Sequence, residues 1–256
     1  MLFAVDVGNT HMVIGIFDQD ALRCHWRVKT DKSSTADELA SICHGLFAME
    51  GLHFSQISQV IIASVVPVMQ AAWSAFAAKH LTAKPLVVGD NLETGMPVLI
   101  DNPREIGADR IVNAVAAYEE YRASLIVVDF GTAITWDCVS ARGEYLGGAI
   151  APGLGISMEA LGSRTAKLPQ VDISTPPPSA IGTNTVAAIK AGILFGYGGM
   201  VDGLIRRLRQ AMAPSSPITI ATGGMAGLIA PYATSIDHVD PMLTLKGLRL
   251  LHAKNS

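Results

Sequence analysis

The chain has 256 residues, half of them hydrophobic and 16% charged, with a formal net charge of −3. That is enough to bury a sizeable core, in one large domain or in two of about 120 residues each. The weak negative charge and the lack of a Lys/Arg-rich run exclude a general attraction for nucleic acid, so any anionic ligand must be held by backbone N–H groups and a few placed cations.

In chain order, an apolar strand ends on Asp6 and turns through Gly8-Asn9-Thr10. Residues 11–17 and 22–29 then read as two further strands of a meander, joined at Asp18-Gln19-Asp20. Thr35 and Glu38 have the spacing of a capping box and predict a helix to about Glu50. A short buried strand at 60–63, a helix at 67–80 and a strand at 86–88 follow. A helix over 103–121 marks the boundary between domains 1–115 and 116–256.

The second half repeats the order. Residues 125–129 and 133–139 read as strands, Ala141-Arg142-Gly143 as a turn and 145–150 as a third strand. Helices begin near Gly155 and Thr185, a strand covers 218–221, and a last helix covers 243–252. Hairpins first and βα alternation afterwards, done twice, predict a duplicated α/β fold with mixed sheets. In the helix from Thr185, Ala188, Gly192, Gly196, Gly199 and Gly203 share one face. Each glycine costs roughly 1 kcal/mol of helix propensity, so that face must pack closely on a sheet or on another subunit.

The three cysteines, Cys24, Cys43 and Cys138, are scattered, which argues against a disulfide framework or a zinc pair and for a reducing compartment. No signal-like segment follows Met1, and prolines interrupt the longest uncharged span, 210–236. The expectation is a cytoplasmic protein with neither a membrane nor a nucleic-acid partner.

The stretches "VDVGNT" (5–10) and "LIVVDFGTA" (125–133) carry the chemistry. Each is an apolar strand leading to an aspartate and a glycine turn with a threonine, Thr10 or Thr132. Turn N–H groups and a hydroxyl suit an anion. The carboxylate repels phosphate, so it must face a cation, most simply the Mg²⁺ that accompanies a nucleotide. A lone Asp-x-Gly is usually only a hairpin cap; two in matching places favour a phosphate clamp. No Walker sequence is present. A third turn, Thr222-Gly223-Gly224, leaves backbone open to a base or ribose. In "DNPREIGADR" (101–110), Asn102 and Pro103 suit a helix start, and Gly107 inside that helix invites close approach by a ligand beside Asp109 and Arg110.

Taken together, "DVGNT" (6–10), "GADR" (107–110), "DFGTA" (129–133), "GGAIAPG" (147–153), "GTNT" (182–185) and "TGG" (222–224) resemble type III pantothenate kinase in order and spacing along the whole chain. The resemblance implies duplicated ribonuclease H-like domains of the acetate and sugar kinase/heat-shock chaperone/actin superfamily. It implies transfer of the γ-phosphoryl group of ATP to the hydroxyl of pantothenate, the first step of coenzyme A synthesis. Asp6, Val7, Gly8, Asn9, Thr10, His11, Met12 and Val13 would form the first phosphate turn and Thr132 part of the second, with Gly223 and Gly224 beside the adenosine. Asp129 would bind K⁺ or NH₄⁺. Gly107, Ala108, Asp109, Arg110 and Thr185 would contact pantothenate, with Asp109 as general base, in a homodimer. Many members carry a tyrosine where this chain has Ile100, so that contact is apolar here. Rival readings are another small-alcohol kinase, an ATP-driven conformational machine and a non-catalytic nucleotide-binding regulator.

Overall fold

The structure is a computed structural model that describes residues 1–81, 83–89, 92–165 and 168–256. β1 (Leu2–Val7), β2 (His11–Asp18) and β3 (Ala21–Lys29) form the expected antiparallel meander. α1 (Ala36–Met49) starts at a complete capping box: Glu38 N–H donates to Thr35 Oγ1, and Thr35 N–H donates to Glu38 Oε2. β4 (Gln59–Ser64) runs parallel to β1, and α2 (Pro67–Phe76) leads through a π-helical turn to β5 (Leu86–Val87). The sheet order is β3-β2-β1-β4-β5.

α3 (Ala108–Tyr121) precedes β6 (Leu125–Phe130), β7 (Ala133–Val139), β8 (Tyr145–Pro152), α4 (Leu154–Ser163) and α5 (Thr185–Ala211). β9 (Ile218–Thr222), α6 (Ala226–Ile229), β10 (His238–Val239) and α7 (Leu243–Lys254) complete the chain. The second sheet reads β8-β7-β6-β9-β10, the first order again with β6 in the place of β1. One core gathers Phe3, Phe47, Trp73 and Phe76 under the first sheet; the other gathers Phe130, Trp136, Leu194 and Val201 under the second.

Four features differ from the sequence expectation. The region 103–121 is a 3₁₀ turn, Pro103–Glu105, then a separate helix from Ala108. Asn102 caps the turn through Arg104 N–H, and Ile106 is extended (φ −70°, ψ 127°), so Gly107 precedes α3 instead of lying inside a helix. Both aspartate strands run one residue past the carboxylate, because Val7 and Phe130 are buried and still pair with Met12 and Ile134. α6 and the exposed two-residue β10 were not anticipated, being too short to show a period.

The chain also divides differently from a cut at residue 116. One compact unit comprises Met1–Gly95, Asn102–Ala116 and Met242–Ser256, and the other Met96–Asp101 and Ala117–Pro241. The C-terminal α7 packs on the first sheet: Leu243, Leu245, Leu248 and Leu251 are buried, and Leu245 fills the space beside Gly15. Sequence order does not reveal which sheet a final apolar helix will cover.

Candidate active site

Asp6 is half-buried and sits opposite Val13 on β2 and Ala63 on β4. The turn after it is tied down from both sides. Gly8 N–H donates to His11 O (3.0 Å), Thr30 Oγ1 to Gly8 O (2.7 Å), Thr30 N–H to Thr10 O (3.0 Å) and Lys32 Nζ to Asn9 Oδ1 (3.1 Å). Gly8 N–H therefore closes the hairpin and is not among the donors turned to an anion. Val7 and Met12 face the core, where Trp73 Nε1 donates to Met12 Sδ at 3.3 Å. Of residues 6–13, the side chains of Asp6, Asn9, Thr10, His11 and Val13 are wholly or partly accessible.

In the second unit Asp129 lies in the same sheet position, opposite Thr135 on β7 and Thr222 on β9. Gly131 N–H closes this hairpin on Ala133 O (3.1 Å), and Thr132, exposed, accepts Gly153 N–H at its carbonyl (3.1 Å). The fold brings "DFG" and "TGG" together. Gly223 has φ +91°, and a Cβ there would collide with Asp129 Oδ1, so both the backbone angle and the space demand glycine. Gly224 follows directly in the turn.

The sequence reading passed over Asp137, which is fully buried two residues from Thr135 on β7. Its carboxylate accepts from Thr135 Oγ1 (3.0 Å) and from the buried Tyr145 hydroxyl (2.6 Å). Tyr145 is also anchored through its backbone, since its N–H donates to Pro97 O and its carbonyl accepts from Leu99 N–H, each at 2.8 Å. The available signal was an aspartate inside the apolar run "AITWDCV", since a buried charge needs dedicated partners.

The Asp109 carboxylate is folded back at the start of α3. Its Oδ1 accepts Arg110 N–H at 2.8 Å and rests on Gly107, where a Cβ would approach to 2.6 Å. Gly107 is thus small for the sake of Asp109. Both Asp109 and Arg110 are half-buried, as are Gly107 and Ala108. The first turn of a helix, with its outward N–H groups, favours negative charge.

Thr185 opens α5, whose N-cap Asn184 accepts Ala187 N–H at 2.9 Å. It lines a groove of about 610 Å³ with Leu161, Leu168, Ala188, Ile189 and Gly192. Ile100 Cγ2 lies 3.4 Å from where a Cβ at Gly147 would stand. Among the described residues no three His, Cys, Asp or Glu side chains cluster as a metal cage. A cation here would draw its other ligands from backbone, water or a bound nucleotide, as Mg²⁺ commonly does.

α5 is long and apolar enough to cross a membrane by length and composition alone. It also carries Lys190, Asp202, Arg206, Arg207 and Arg209, and buries Ile189, Leu194, Val201 and Ile205 in the second unit. That is the pattern of a core helix.

Comparison with known proteins bears on both fold and site. A chain of (R)-2-hydroxyglutaryl-CoA dehydratase component A from Acidaminococcus fermentans aligns over 99% of this chain and 96% of its own, with a TM-score of 0.56 and 13% identity. A ROK family glucokinase from Streptomyces griseus aligns over 99% of both chains, with a TM-score of 0.53 and 13% identity. These likenesses establish the duplicated fold of actin-like ATPases and sugar kinases. A type III pantothenate kinase from Geotalea daltonii is 52% identical over 255 residues, covering 100% of this chain and 99% of the relative. The family model for type III pantothenate kinase matches residues 2–207, a span that takes in both aspartate turns and the start of α3. The chain belongs to the type III pantothenate kinase family.

Proposed function

We propose that the chain transfers the γ-phosphoryl group of ATP to the hydroxyl of pantothenate, with Asp109 orienting that hydroxyl and accepting its proton. The observation that carries the reaction is the full-length 52% identity to a type III pantothenate kinase. Phosphoryl transfer asks little covalent work of a protein, so positioning and charge neutralisation dominate. Asp109 suits the base because Arg110 N–H holds its Oδ1 and Gly107 leaves room for the carboxylate, so its orientation is set before substrate arrives.

The remaining roles are those that the family resemblance implies. At the first turn the accessible Asn9 and Thr10, and at the second the accessible Thr132, would donate to phosphate oxygens. Asp6 would hold the Mg²⁺ of the nucleotide and Asp129 a K⁺ or NH₄⁺ ion, which together offset the phosphate charge. The glycine at 223 makes room for the Asp129 carboxylate, since a Cβ there would collide with its Oδ1. Gly223 and Gly224 would face adenosine, and Gly107, Ala108, Arg110 and Thr185 would each contact pantothenate, as the family resemblance implies. The enzyme works as a homodimer in the cytoplasm.

The test is an ATP turnover assay with pantothenate and a panel of sugars and short hydroxy acids, each with and without K⁺. Turnover confined to pantothenate and raised by K⁺ is expected. Preference for a sugar would move the enzyme to another small-alcohol kinase class.

A further inference from the structure

β3 alternates a buried face with a basic one. Cys24 is buried and Trp26 and Val28 pack on the first core, while Arg23, His25, Arg27 and Lys29 are exposed. The register carries that basic face toward the first turn. Asp6 pairs with Val13 and Val13 pairs with Arg27, so the three form one row on one face of the sheet. About 10 Å, two strand spacings, separates the backbones of Asp6 and Arg27. The next row away from the turn contains Gly15, against which Leu245 of α7 packs. α7 therefore covers this face up to the Gly15 row and leaves the Asp6 row partly open.

Arg27 leans toward the turn. Its Nη2 lies 3.1 Å from His11 Nδ1. A guanidinium can only donate, so Nδ1 is the acceptor and the imidazole is neutral, with its proton on Nε2. Burial holds the His11 pKa below its ordinary value, and the positive charges of Arg27 and Lys29 push it the same way. The other guanidinium N–H groups are left for a second acceptor, and among the described residues no carboxylate ion-pairs with Arg27. Lys32 grips Asn9 elsewhere on the same turn. A chain of net negative charge has gathered three cations, Arg27, Lys29 and Lys32, around one short loop.

We propose that Arg27, steadied by the neutral His11 ring, binds the terminal phosphates of the nucleotide directly at the first turn. Asp6 needs a metal ion to meet phosphate, whereas an arginine fork bonds two phosphate oxygens unaided. The inference rests on the reading that the nucleotide's phosphates lie at this turn.

The test compares Mg·ATP, Mg·ADP and AMP binding by calorimetry to the full chain, to Arg27→Gln and to Arg27→Lys, with pantothenate turnover measured in parallel. Arg27→Gln should weaken Mg·ATP by about 10- to 100-fold and leave AMP and the thermal midpoint nearly unchanged. Arg27→Lys should recover only part of the loss, because it keeps the charge without the fork. Unchanged Mg·ATP affinity overturns the inference, as does equal weakening of ATP and AMP, which would mark a merely structural arginine. Wild-type turnover of pantothenate with an Arg27-independent KM for ATP sinks this inference alone. Arg27-dependent ATP binding without pantothenate turnover leaves it standing and sinks the acceptor reading.

Discussion

Asp109 and Gly107 act as a pair, since the glycine leaves room for the carboxylate to fold back onto its own helix start. Asp109→Asn keeps the shape and the hydrogen bond from Arg110 but removes the proton acceptor. We expect kcat to fall by about 10²–10⁴, equivalent to about 3–5 kcal/mol of barrier, with Mg·ATP binding retained in calorimetry. A variant keeping more than about a tenth of wild-type kcat, well short of that range, would place the base elsewhere. His252 bears on stability instead. It is 8% exposed on α7, and burial lowers its pKa. Between that lowered value and about 6.5 the unfolded chain binds the extra proton, so stability rises with pH through this window and is lost as pH falls through it. The urea midpoint should therefore drop between about pH 7.5 and 5, and less steeply in His252→Gln. Equal slopes in the two proteins would show that other groups set the acid limit. The positions of Asp6 and Asp129 at the ends of matching strands were legible from their motifs. Asp137 was not, because its partner Tyr145 comes from the next strand and only the register brings them together.

At the scale of elements, α5 bears on a choice that the sequence left open. Among the described residues nothing lies within 4 Å of where a Cβ at Gly192, Gly196 or Gly199 would stand. The small-residue face is thus not buried on the chain's own sheet, while the opposite face carries the buried Leu194 and Val201. A glycine-lined face that meets no described residue within 4 Å at Gly192, Gly196 and Gly199 leaves room for the proposed subunit contact. Gly196→Leu with Gly199→Leu should leave each chain folded and shift sedimentation toward monomer or aggregate. A wild type that sediments as a monomer at micromolar concentration would refute the dimer. Other elements were legible by periodicity: the capping box at Thr35 and the strand 133–139 stand where expected. The alternating basic residues of β3 were equally visible at period two, but a search for contiguous Lys/Arg runs does not detect a stripe spaced by apolar residues. The break at Ile106-Gly107 escaped because the cap at Asn102 and the periodicity of α3 are each sound helix signals, and only geometry separates them.

For the whole molecule, the duplication preserved topology while the charges around the two turns diverged. Asp6 and Asp129 occupy equivalent positions in sheets of the same order. Across the first sheet the row runs Ala63, Asp6, Val13, Arg27; across the second it runs Thr222, Asp129, Thr135, Ile150. The strand order that places an arginine in line with one carboxylate places an exposed isoleucine in line with the other, Ile150 being 64% exposed. A carboxylate beside phosphate is repulsive unless a cation stands between them. The first row carries a basic side chain, Arg27, and the second carries none; at the second turn the family resemblance implies a K⁺ or NH₄⁺ ion at Asp129. Turnover should accordingly depend on K⁺ or NH₄⁺ in addition to Mg²⁺, and Asp129→Ala should lose both activity and the response to K⁺. Ile150→Arg, which restores the missing charge in the register that Arg27 occupies, should lower the K⁺ concentration needed for half-maximal rate. Activity would be titrated with KCl at constant ionic strength, with Na⁺ as the balancing ion. Full wild-type turnover in Na⁺ alone would remove the cation from the mechanism, and with it the idea that the two halves neutralise the nucleotide by different means.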